Sequence, residues 1–95
     1  MRILINAIST NKYEITVNSS TSTKHVVTLT DTFHQNLTNG KATKAELLEF
    51  SFKFLLDREP NTSILSSFEL TVISQYFSDY ENKVRKWCNV KTLNK

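Results

Sequence analysis

Glycine, proline and cysteine each occur once in this chain of 95 residues. Each scarcity excludes something. A lone Gly40 cannot build the glycine-rich loops that cradle phosphates. With only Pro60 beside it in the count, there is little material for flexible linkers, so one small globular domain over 1–95 is expected. Cys88 has no second cysteine for an internal disulfide, which makes a reducing compartment, the cytoplasm, the expected setting. Long apolar runs are also missing. The opening MRILINAIST has one basic residue, a short apolar stretch and no small-residue cleavage site after it. It fits neither a signal peptide nor a membrane span.

Acidic residues are missing from the last thirteen positions. Residues 1–82 hold seven basic and nine acidic side chains, a net −2, while 83–95 hold five basic ones and no acid, a net +5. The whole basic excess of +3 therefore sits at the C-terminus. Lys83, Arg85 and Lys86 beside Trp87 form a candidate basic contact patch for phosphate or a membrane surface. The plainer reading is that cations near a helix C-terminus offset its dipole.

What the chain has in plenty is apolar helix. Thr43–Glu59 reads as one helix, opened by a capping box between Thr43 and Glu46. At 100° per residue, Glu46, Glu49, Lys53 and Asp57 gather into one polar strip. Leu47, Leu48, Phe50, Phe52, Phe54, Leu55 and Leu56 fill nearly all the rest. That arc is roughly twice the width a surface helix needs, so the helix must be covered on at least two sides. Ser51 and Arg58 interrupt it along one line. Two readings stand. Either Ser51 bonds back into its own helix and Arg58 snorkels outward, or a buried polar seam runs through Ser51 and Arg58, with Arg58 paired to a carboxylate such as Glu59 or Glu69.

The N-terminal third reads as strands. Residues 2–8 are a short apolar run. Lys12–Val17 alternates, with Tyr13, Ile15 and Val17 on one face. In Lys24–Thr30, His25, Val27 and Leu29 share a face. An antiparallel meander over about 2–30 follows. Helices are expected over about 31–88: a short one capped by Asp31 and ended at Asn39-Gly40, the central one stopped by Pro60, a third piece capped by Asn61 or Thr62 through Phe68, a piece over Val72–Phe77, and a last one with Tyr80, Val84 and Trp87 at helical spacing. Residues 89–95 are expected to fray. The fold class is α+β: a small N-terminal antiparallel sheet packed on a central apolar helix, covered by short C-terminal helices.

Ser51–Glu81 carries the pattern S-F-x-F-L-L-x-R-E-P, then S-I-L-x-x-F-acid-L-x-V-I-x-x-Y-F, then Y-E. It resembles a recurring pattern in small bacterial proteins described only as hypothetical. The match extends more loosely over about 24–84. Similar proteins carry Pro at the positions of Thr71 and Ser78, which implies helix starts close to both. This chain departs at both. The resemblance implies a compact bacterial domain and brings no activity, substrate or cofactor.

No constellation points to an enzyme. His25, His34, Asp31 and Cys88 match no zinc spacing, and exposed or half-buried histidines are the expectation. Cys88 as nucleophile would need His25 or His34 as base. Asp57, Glu59, Glu69, Asp79 and Glu81 read as helix-surface charges or caps. No metal and no cofactor are expected. The reading is a non-enzymatic protein-interaction or regulatory module whose partner is another protein or a second copy in a homodimer, because so apolar a helix in a short chain leaves surplus surface. The alternative is a nucleic-acid-binding regulator, acting through the basic tail or through a ribbon–helix–helix order of strand 24–30 and two helices, with Lys24, Thr28 and Thr30 toward the bases. Against the ribbon stand the short first helix, the strand 12–17 on the edge it needs, and the acidic body.

Overall fold

The computed structural model describes residues 2–93. Three strands, β1 (Arg2–Ala7), β2 (Lys12–Asn18) and β3 (Ser22–Thr28), form the antiparallel meander read from the alternation. Ile15, Val17, His25, Val27 and Leu29 point inward and are all buried. Two helices follow, α1 (Asp31–Thr38) and α2 (Lys44–Leu56), then a 3₁₀ turn at Asn61–Ser63, a short strand β4 (Ser67–Glu69), and helices α3 (Thr71–Tyr76) and α4 (Tyr80–Leu93). The class is α+β.

Three expectations are corrected. The third helical piece through Phe68 does not form. Ser67, Phe68, Glu69 and Leu70 alternate polar and apolar, which suits a strand; β4 adds to β3 in parallel, with Val27 opposite Phe68. The sheet order is β1-β2-β3-β4, so the sheet is mixed rather than wholly antiparallel. The last helix also runs on to Leu93, past the expected end near 88. Asn94 and Lys95 lie outside the described residues.

Local chemistry explains the helix ends. Thr30, not Asp31, caps α1, its hydroxyl accepting from the Phe33 amide at 3.2 Å. Asp31 sits one place further in and meets Lys44 at 2.5 Å. That hydrogen bond, more than any other influence, holds the Asp31 carboxyl below its ordinary value. Asn39 and then Gly40 take left-handed conformations, at φ 53° and 76°, to end the helix. The capping box on α2 is present in both halves. α2 ends at Leu56, three residues before the Pro60 boundary, with the Arg58 and Glu59 amides both turned back to the Leu55 carbonyl.

α2 lies between two layers. On the sheet side, the Phe52 ring is 5.4 Å from His25 and 6.1 Å from Phe68. On the other side, Phe50 stacks on Trp87 and Phe54 meets Tyr80 edge-on. Leu47, Leu48 and Phe52 have no exposure. Each such side chain contributes about 1.5–3 kcal/mol by leaving water. The polar strip at Glu46, Glu49, Lys53 and Asp57 stays outside.

Candidate functional site

The Ser51–Arg58 line faces the start of α4 at both ends. Ser51 is fully buried. Its hydroxyl donates to the Leu47 carbonyl at 2.7 Å, so the Tyr80 hydroxyl, 2.5 Å away, donates to Ser51. Burial pushes the Tyr80 phenol well above its ordinary value. Arg58 is not buried; its side chain is 30% exposed. Its partner is Asp79 at 3.0 Å, neither Glu59 nor Glu69. A second guanidinium nitrogen donates to the Phe54 carbonyl, and the group lies 3.6 Å from the Phe54 ring centre. The arrangement is a clamp between α2 with the residues just after it and the start of α4 with Asp79 just before it, and Glu59 takes no part in it.

The basic patch divides. On α4, Lys83, Lys86 and Trp87 fall within roughly 100° of arc, while Arg85 lies on the opposite flank. There it pairs weakly with Glu81 at 3.5 Å. Trp87 is half-buried, its face stacked on Phe50 with ring centres 4.7 Å apart. Lys83 and Lys86 remain exposed. The ribbon geometry has no free edge: β3 is paired on one side by β2 and on the other by β4.

The histidines are occupied. His25 is buried, at 2% exposure, against the expectation of an exposed or half-buried ring. Its Nδ1 donates to the Leu65 carbonyl at 2.8 Å and its Nε2 meets the Thr23 hydroxyl. Asn61, expected as a helix cap, instead donates to the Thr21 carbonyl at 2.7 Å and to the Thr23 hydroxyl. These bonds tie the 61–65 segment to β3. His34 donates from Nε2 to the Ala42 carbonyl at 2.6 Å. Cys88 is buried in the core. Among the described residues, no group of three or more His, Cys, Asp or Glu is arranged to hold a metal ion, and no helix is long and apolar enough to cross a membrane.

The feature that sequence reasoning missed is a groove of about 380 Å³ where the end of α2, the 63–65 segment, β4 and α3 meet. Leu55, Phe68, Ile73 and Phe77 form its floor and walls. Leu65 and Tyr76 stand on it at 52% and 72% exposure. Among the described residues, Glu59 is its one charged lining residue. Both Leu65 and Tyr76 look like core residues of short helices in sequence. The signal available was the two-residue period from Ser67 to Leu70, which turns the preceding segment into a loop and its Leu65 outward. A smaller cleft of about 240 Å³ runs between Glu46, Glu49 and Lys53 of α2 and Trp87 of α4. No family model, no curated protein and no solved structure matches the chain.

Proposed function

We propose that this protein is a non-enzymatic protein-interaction or regulatory module, and that its groove receives an apolar segment of a partner protein carrying a Lys or Arg. The supporting observation is where the apolar surface lies. Of the five large apolar side chains left exposed among the described residues, two, Leu65 and Tyr76, stand on the same groove. Apolar surface gathered around a concavity, with a polar rim, marks an interaction site. Glu59 supplies the charge that selects a basic neighbour to the apolar anchor.

Peptide selection tests this reading. Random displayed peptides selected on the wild-type protein are expected to be enriched in a large apolar residue close to Lys or Arg. In fluorescence anisotropy, Leu65→Ser with Tyr76→Ser lowers affinity at least about tenfold, a loss of about 1.4 kcal/mol. Glu59→Lys weakens basic peptides most. Equal binding by wild type and the double variant overturns the groove. The alternative, a nucleic-acid-binding regulator, predicts a salt-dependent shift of labelled duplex that neutralising Lys83, Arg85 and Lys86 removes.

A further inference from the structure

The two edges of the sheet are unlike. β4 is three residues long and ends on Glu69. β1 is six residues long, Arg2–Ala7, and pairs one-to-one with β2 without a bulge. It has no proline and a single charge, Arg2, at its end. Among the described residues, proline, a bulge and an inward-pointing charge, three of the usual protections of an edge strand, are absent from it.

The direction of its backbone groups can be read from the turn. The Ile8 amide donates to the Lys12 carbonyl at 2.9 Å, so residue 8 faces β2. Antiparallel strands alternate, so Arg2, Leu4 and Asn6 also face β2, and Ile3, Ile5 and Ala7 turn their amides and carbonyls to the open side. The Leu29 amide, bonded to the Asn11 carbonyl at 2.7 Å, shows the matching alternation across β2. Among the described residues, no hydrogen bond meets Ile3, Ile5 or Ala7 from that side.

We propose that this edge pairs with β1 of a second copy, antiparallel, with Leu4 opposite Leu4 on the two-fold axis. The match is made by the strand itself. Ile3 of one copy faces Ile5 of the other through their outward backbone groups, and both side chains lie on the inner face against the core. On the outer face Leu4, 44% exposed, covers its own copy. Arg2 falls opposite Asn6 of the other copy, and Asn6 is opposite Glu14 in the next strand. Arg2 and the other copy's Glu14 therefore share one row, about 10 Å apart at two strand spacings, with a neutral residue between. The pairing sets this opposite-charge row on each side of the axis. Centring on Ile5 instead sets Leu4 against Asn6 and Arg2 against Ile8. A one-residue slip sets outward backbone groups against inward ones. A second copy is the occupant whose apolar rows and charges meet this edge in register.

The edge is remote in the sheet order from β4 and the groove, so the two proposals fail separately. Sedimentation equilibrium of the full chain is expected to give twice the 11.0 kDa chain mass at high micromolar concentration. Leu4→Lys, on the exposed outer face, places two cations together and raises the dimer dissociation constant at least about tenfold, with an unchanged circular dichroism spectrum. Leu4→Cys cross-links to itself under mild oxidation, since facing residues at a non-hydrogen-bonded pair suit a disulfide. Asn6→Cys, facing Arg2, does not. A monomer at all concentrations overturns the proposal, as does an unchanged dimer in Leu4→Lys or equal cross-linking from both cysteine variants. Leu65→Ser with Tyr76→Ser is expected to leave the dimer intact.

Discussion

Ser51 and Tyr80 are chemically unequal partners, and that inequality can be measured. Ser51 donates to Leu47 and accepts from Tyr80. Tyr80→Phe removes one bond and leaves Ser51 still bonded, at a cost of about 1 kcal/mol. Ser51→Ala strands the buried Tyr80 hydroxyl and costs more, about 1–3 kcal/mol. Urea unfolding of the two variants checks the order; equal costs would mean that the hydroxyl finds another partner. The same burial sets a pH dependence. Folding raises the Tyr80 phenol above its ordinary 10.0. Above pH 10 the unfolded chain releases a proton that the folded chain keeps, so stability falls as pH rises. The slope reaches about 1.4 kcal/mol per unit. Between pH 9 and 11, Tyr80→Phe is expected to lose less stability than wild type.

At the scale of elements, α2 and α4 are joined by that bond and by Arg58 on Asp79, and the second is the weaker link. Both side chains are partly exposed, at 30% and 48%, so solvent screens the pair. A double-mutant cycle with Arg58→Leu and Asp79→Asn is expected to give a coupling of about 0.5–1 kcal/mol that shrinks in 1 M salt. Asn keeps the helix-start chemistry at 79. Arg58→Leu alone costs more than the coupling, because the bond to the Phe54 carbonyl and the ring contact go with it. A stability gain in Arg58→Leu would sink this account. These elements show which parts of the chain could be read in advance. The capping box of Thr43 and Glu46 spans three residues, and the wheel of α2 needs no partner to be drawn. Placing Ser51 and Arg58 on one line was equally local. What the line meets was not: Asp79 is 21 residues from Arg58 and Tyr80 is 29 from Ser51. Glu59 and Glu69 were nearer in sequence, but neither reaches the guanidinium. Arg85 parts from Lys83 and Lys86 for a plainer reason, since consecutive cations on a helix turn to different faces.

For the whole molecule, the order of the sheet decides how much of the chain folds together. β4 reaches back about forty residues to lie beside β3, and Asn61 and His25 fasten the connecting segment there. These contacts were illegible because Asn61 is as good a helix cap as it is a donor to Thr21, and only the distant strand selects between the two. They leave the groove as the outer face of that return and β1 as the opposite edge. They also make the C-terminal helices part of the same core as the meander. Tyr80 and Val84 have no exposure, and Cys88 has 2%. Removing residues 79–95 deletes all three and uncovers Ser51 and Phe54. At about 1.5–3 kcal/mol for each large side chain, plus the uncovered face of α2, the loss matches the 5–15 kcal/mol typical of a whole domain. The truncated chain 1–78 is therefore expected to lose the cooperative thermal transition and the dispersed amide spectrum of the full chain, the strands included. A sharp transition in 1–78 would show instead that the meander and α2 form a core without α4, and that the Tyr80 contact only decorates it.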